Sequence, residues 1–234
     1  MTQPNAKIVI LTGAGISAES GIETFRAEDG LWAQHRVEDV ATPEGFARDP
    51  ELVVQFYNAR RAQAAEVHPN AAHKALARLE AEHPGEVVVI TQNVDDLHER
   101  GGSDTVHHMH GHLKGALCAI CDHRWPAPMV MAVGDPCPSC NAPAARPDIV
   151  WFGEMPHEMD LLFDHLTQAD IFAAIGTSGN VYPAAGFVAE ARRAGAHTLE
   201  FNLERSAVGN QFAEHRLGPA SETVTAWVAE ILGQ

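Results

Sequence analysis

The chain has 234 residues, with 16 lysines and arginines against 31 aspartates and glutamates, and so a formal net charge of −15. That length supports one domain, or one large domain carrying a smaller insert. A hydrophobic content of 45% with 20% charged residues excludes disordered, collagen-like and coiled-coil chains. Nucleic-acid phosphates demand clustered Lys and Arg, so a chain this acidic is not expected to bind them directly.

In chain order, residues 1–7 lack the basic start and long apolar core of a signal peptide, and no apolar run approaches the roughly 18 residues that span a bilayer. A cytoplasmic address without a membrane partner is therefore expected. The first apolar run, Lys7 to Leu11, reads as a strand and leads into Thr12-Gly13-Ala14-Gly15. Residues 36 to 83 read as helices. Thr42-Pro43 and Asp49-Pro50 each pair a capping residue with proline at the first helical position, and Asn70 caps a third helix ending near Pro84-Gly85. A second strand, Val87 to Ile90, leads into Thr91-Gln92-Asn93-Val94-Asp95-Asp96. Residues 113 to 147 are rich in Cys, Pro and Gly and show little periodicity. A third strand, Ile171 to Ile175, precedes Gly176-Thr177-Ser178, and a fourth, Thr198 to Phe201, precedes Asn202-Leu203-Glu204. Helices are expected over Pro183–Ala194 and Ser221–Leu232. Short β-branched runs without alternation suit strands covered on both faces. Strands alternating with helices imply an α/β, doubly wound, Rossmann-type parallel sheet, whose ligands bind beyond the carboxyl ends of the strands.

Gly13 to Ala18 matches G-x-G-x-x-G/A directly after a strand, a pattern that lets backbone N–H groups approach a pyrophosphate, although a simple turn fits it equally. The acidic residue usual at the end of the second strand is missing; Asn202 and Glu204 are the candidates for holding ribose hydroxyls. Cys118-x2-Cys121 and Cys137-x2-Cys140 are separated by 15 residues. Two such knuckles can offer four thiolates to a structural Zn²⁺, with a redox pair as the alternative. His107-His108-x-His110 could be a second metal site or supply a general base, because imidazole titrates near neutrality. Tyr57 and Arg60 share a helix face. Spacing alone suits a solvated face, but an Arg beside a phenol could also clamp a carboxylate.

Taken together, these residues resemble the sirtuins, the NAD-dependent protein lysine deacylases. The resemblance runs from Lys7 to the C-terminus. It rests on Gly13–Arg26 (GAGISAESGIETFR), Thr91–His98 (TQNVDDLH), His110-Gly111, the two cysteine pairs, Arg146–Glu154 (RPDIVWFGE), Gly176–Ser178 and Phe201–Glu204. Tyr57 and Arg60 point to the bacterial, CobB-like class III branch, in which such a pair reads acidic acyl groups such as succinyl. Glu23 departs from the proline common in the family and bears on the mobility of the cofactor loop.

The resemblance implies one catalytic domain, with a large Rossmann-type part (1–35, 84–112, 146–234) and a small part made of a helical insert (36–83) and a zinc module (113–145). It implies NAD as co-substrate and structural Zn²⁺ on Cys118, Cys121, Cys137 and Cys140. His110 would be the base and Asn93 a second catalytic residue. The NAD site would take Gly13, Ala14, Gly15, Glu19, Thr24, Phe25, Arg26, Trp32, Gln92, Asn93, Asp95, Gly176, Thr177, Ser178, Asn202, Leu203, Glu204 and Ala220. Substrate would meet Tyr57, Arg60, Val150, Trp151 and Phe152, with Val150–Phe152 adding a strand to its backbone. The expected partners are acylated lysines of proteins, acetyl and succinyl among them. The implied products are free lysine, nicotinamide and an O-acyl-ADP-ribose. Mono-ADP-ribosyl transfer, or an NAD- and zinc-binding module without turnover, are the alternatives.

Overall fold

A computed structural model describes residues 4–22 and 35–234. The central strand β1 (Ile8–Thr12) lies between β2 (Val87–Thr91) and β7 (Ile171–Ile175), parallel to both. β3 (Val106–His108) adds beyond β2, while β8 (His197–Asn202) and β9 (Glu214–Leu217) add beyond β7, giving the parallel order β3-β2-β1-β7-β8-β9. Counted along this sheet alone the order is 3-2-1-4-5-6, that of a doubly wound dinucleotide fold, with its switch point between β1 and β7.

Side-chain alternation explains why the strands read as unbroken apolar runs. Ile8 and Ile10 face one side, packing with Leu76 and Leu79 of α5 (Ala71–Glu82) and Val224 and Trp227 of α9 (Ala220–Leu232). Val9 and Leu11 face the other, with Leu162 and Leu166 of α7 (Met159–Thr167) and Phe187 and Val188 of α8 (Phe187–Arg193). Both faces are covered, so every position of β1 is apolar until Thr12.

The two interruptions fold beside this sheet. α2 (Val37–Val40), α3 (Pro43–Arg48) and α4 (Pro50–Glu66) precede α5, and the expected caps are in place: Thr42 Oγ1 accepts from Gly45 N, Asp49 Oδ1 from Leu52 N and Asn70 Oδ1 from Ala72 N, all within 3.0 Å. α5 packs under the parallel sheet against α9, apart from α2–α4. A separate antiparallel sheet has β4 (Gly111–Cys118) between β5 (Arg124–Pro126) and β6 (Ala145–Ile149). The buried Arg61 of α4 joins that sheet to the helices, giving Nε to Leu113 O at 2.7 Å and Nη1 to Met129 O at 3.2 Å. Among the described residues no helix is long and apolar enough to cross a membrane.

Candidate active site and metal centre

The carboxyl ends of the central strands meet through backbone bonds. Gly13 N donates to Ile175 O, Gly15 N to Gly176 O, and Gly176 N to Phe201 O, at 2.9–3.0 Å. The two glycine turns touch so closely that a Cβ on Gly15 would come within 2.6 Å of Gly176 Cα. Gly176 itself has φ +63, the left-handed region. The G-x-G pattern is therefore a close approach of two backbones at the switch point. It leads into α1 (Ala14–Ala18), a single turn.

The β2 turn folds over the same spot. Asn93 is buried, and its Nδ2 gives bonds to Gly13 O (3.2 Å) and Ser17 Oγ (3.1 Å). Ser17 Oγ donates to Asp95 Oδ2 at 3.2 Å, and Asp95 Oδ1 accepts Leu97 N at the start of α6 (Leu97–Gly101). Burial raises the Asp95 pKa against these bonds, which lower it. Beneath Asn93, Thr91 Oγ1 accepts from Asn93 N and from the Thr12 hydroxyl at 2.8 Å. His98 Nε2 lies 2.9 Å from Thr12 Oγ1, whose proton is already given to Thr91, so Nε2 is the donor. Ser17, Thr12, Thr91 and His98 thus position Asn93. Sequence reasoning assigned Thr12, Thr91 and His98 no role, although Thr91 and His98 lie inside the quoted motifs.

His110 sits between β3 and β4 with its Nδ1 3.2 Å from Gln92 O. A carbonyl only accepts, so Nδ1 carries the proton and Nε2 keeps the lone pair. Burial holds the His110 pKa below the ordinary imidazole value; the Gln92 bond opposes this and nearby His157 adds to it.

His110 O accepts from Val150 N at 2.9 Å, tying the site to the segment after β6. Trp151 N donates to Glu154 Oε2 and Phe152 N to Ala41 O, so the N–H groups of Val150, Trp151 and Phe152 are all taken within the chain. Trp151 O in turn accepts Glu154 N at 2.9 Å. Arg146 fixes the turn, meeting Glu154 through two bonds of 2.7 and 2.9 Å with its guanidinium 3.6 Å from the centre of the Trp151 ring. Trp151 is 2% exposed and gives its Nε1–H to Tyr57 OH at 3.1 Å, while Tyr57 is 1% exposed. Burial pushes the Tyr57 pKa up, so it is a neutral phenol, and Arg60 lies 5.8 Å from the centre of its ring. Phe152 is 47% exposed beside this buried cluster.

Elsewhere the expected residues turn to structural partners. Asn202 Nδ2 donates to Thr177 O at 2.8 Å, joining the β8 and β7 turns. Ser178 Oγ accepts from Asn180 N at 3.4 Å. Glu19 Oε1 accepts Ser221 N at 3.0 Å, placing a carboxylate at the N-terminus of α9 beside Ala220. Leu203 and Glu204 are exposed after β8. Glu23, Thr24, Phe25, Arg26 and Trp32 lie outside the described residues.

The four cysteines converge. Cys118 Sγ is 3.7 Å from Cys140 Sγ, and Cys121 Sγ is 3.7 Å from Cys137 Sγ. Zn–S bonds of about 2.3 Å make a tetrahedral edge of roughly 3.8 Å, whereas a disulfide needs about 2.05 Å. Asp122 (φ +56) and Asn141 (φ +59) each follow the second cysteine of a pair, and their N–H groups return to Cys118 O and Cys137 O. These are two equivalent knuckles, and the four-thiolate set fits a closed zinc site without an open coordination position.

A family model described as the Sir2 family matches residues 13–183. The chain belongs to the Sir2 family. An "NAD-dependent protein deacylase" of Vibrio cholerae is 57% identical over 99% of this chain and 96% of that protein, and one of Escherichia coli is 57% identical over 97% and 82%. The solved structure of a Sir2 homologue–NAD complex superposes with TM-score 0.88 at 38% identity, covering 96% of this chain and 89% of the other. A structure of Sir2 bound to acetylated peptide gives TM-score 0.80 at 29% identity, over 97% and 93%. The Sir2 fold accounts for the six-stranded sheet and the cysteine module alike.

Proposed function

We propose that this Sir2 protein is an NAD-dependent protein lysine deacylase that moves the acyl group to ADP-ribose, releasing nicotinamide and free lysine with one water consumed. The observation that carries this reading is His110. Its Nδ1–H is spent on Gln92 O, and its basic Nε2 belongs to the same strand-end cluster as Asn93 and the glycine turns. In this reading His110 Nε2 takes a ribose hydroxyl proton, so that the oxygen attacks the acyl carbon. Gln92, Asn93 and Asp95 hold the nicotinamide and its ribose. The Gly13–Gly15 turn supports the pyrophosphate, and Gly176–Ser178 with Asn202–Glu204 and Ala220 line the adenosine half. The large part carries NAD, and α2–α4 with the cysteine module form the small part that completes the acyl-lysine site.

The finer reading is that Tyr57 and Arg60 admit acidic acyl groups such as succinyl. Their support is a neutral phenol beside a guanidinium on α4, packed on the Trp151 segment. One peptide offered as acetyl- and as succinyl-lysine, with and without NAD, tests both levels by mass spectrometry. NAD-dependent acyl loss with formation of O-acyl-ADP-ribose is expected, and Tyr57→Phe/Arg60→Met is expected to lose succinyl turnover selectively. ADP-ribose appearing on protein with acyl groups intact would replace the reading by ADP-ribosyl transfer.

A further inference from the structure

The histidine-rich run divides between tasks. His110 turns to Gln92 and His107 to Glu158 at 2.7 Å, whereas the rings of His108 and His112 meet with centroids 4.8 Å apart. Glu99 of α6 joins them, so α6, β3 and β4 each contribute one side chain. One ligand atom from each of Glu99, His108 and His112 lies within 4.8 Å of the others.

We propose that Glu99, His108 and His112 form a second metal site, separate from the four cysteines, for a divalent transition ion that favours imidazole, such as zinc, cobalt or nickel. Two imidazoles and one carboxylate provide three of the N/O ligands such ions take and leave positions for water, whereas magnesium or calcium would require an oxygen set. His108 is oriented for this. Its Nδ1 donates to Asn93 O at 3.0 Å and its Nε2 faces Glu99 Oε1 at 2.7 Å. An imidazole whose far nitrogen is tied to a backbone carbonyl is the usual supported form of a metal ligand. The ion replaces the proton that His108 now shares with Glu99, so capture releases a proton and tightens as pH rises. His112 Nδ1 accepts Lys114 N at 3.0 Å, a contact between residues two apart that ends at an exposed residue, and the ring gives it up on binding. The site stands independently of the deacylase reading.

The test uses full-length, tag-free protein with its cysteines zinc-loaded, titrated with cobalt(II) alone and read by equilibrium dialysis and visible absorption. One further cobalt per chain is expected, without thiolate charge-transfer absorption, and bound more tightly at about pH 8 than at about pH 6. His112→Ala and Glu99→Gln should each weaken it roughly tenfold or more. His112→Gln keeps a polar side chain there, and zinc content with circular dichroism separates a lost ligand from a lost fold. Absence of the extra cobalt, equal affinity in His112→Ala, or a His108 imidazole N–H resonance unmoved by cobalt would each overturn the site.

Discussion

His110 Nδ1 stands 3.2 Å from the carbonyl oxygen of Gln92, and that contact decides which ring nitrogen is basic. Burial, opposed by this bond, leaves the His110 pKa below its ordinary value of 6.5. The base form therefore dominates at neutral pH, and kcat/KM should be flat there and fall only as pH drops below about 6.5. His110→Ala should lose roughly 10²–10⁴ of turnover. A pH–rate profile of wild type beside the variant's single-turnover rate checks both, and an acid limb that survives in the variant would transfer the role elsewhere.

Gly15→Ala tests the contact of the two glycine turns. The new Cβ would meet the Gly176 backbone, at 2.6 Å from Cα and 2.8 Å from O, where no flexible side chain can yield. A stability loss of about 1–3 kcal/mol is expected, together with loss of NAD binding by calorimetry. Unchanged affinity would mean that the cofactor does not sense this turn.

Tyr57→Phe carries a structural penalty distinct from any effect on acyl selectivity. It strands the buried Trp151 Nε1–H, whose acceptor is Tyr57 OH, at about 1–3 kcal/mol. Arg60→Met leaves that bond in place. Urea unfolding of the two single variants should therefore separate them, and equal stabilities would contradict the bond.

Acid stability should follow a buried histidine pair. His73 is fully buried, stacks edge-on against His98 at 5.0 Å, and neither of its ring nitrogens has a hydrogen-bond partner among the described residues. Burial lowers its pKa from 6.5 to about 4, and His98 is pushed well below its ordinary value by burial and then by His73. The unfolded chain then binds more protons, so stability is full above about pH 6.5 and falls as pH drops toward 4, by on the order of 3 kcal/mol from His73 alone. His73→Leu should shrink that acid loss without destabilising the protein at neutral pH, as read from urea midpoints across pH.

Metal removal should act locally. With a chelator strong enough to strip the four thiolates, amide protection is expected to vanish over residues 111–149 and to persist in β1, β2 and β7. Hydrogen exchange resolved by peptide would show this, and uniform loss would make zinc a requirement of the whole fold.

The sheet was legible because both of its faces are covered. The runs at Ile8, Val87, Ile171 and Thr198 are strands within a residue of where their apolar character places them, and the caps at Thr42, Asp49 and Asn70 accept the expected N–H groups. The edges were not legible: β3 has three residues and β9 reads Glu-His-Arg-Leu, so neither has an apolar run to betray it. The motifs name residues that the structure brings together at the strand ends, among them Gly13, Asn93, Asp95 and Gly176. The bonds that aim them were not legible, because Thr12 to Thr91 and Ser17 to Asp95 join positions whose proximity only the folded sheet creates. The Glu19 carboxylate accepts from Ser221 N, 202 positions away, another contact that no local motif could announce.

The contact of Gly15 with Gly176 also sets an order of events during synthesis. β1 emerges first, yet one of its two partner strands is β7, and the turn after β7 is held by Phe201 O. β1 must therefore wait with one edge unpaired until β7 has left the ribosome. A nascent or truncated product ending before β8 has the Gly13–Gly15 motif without the Phe201 carbonyl that holds the facing turn.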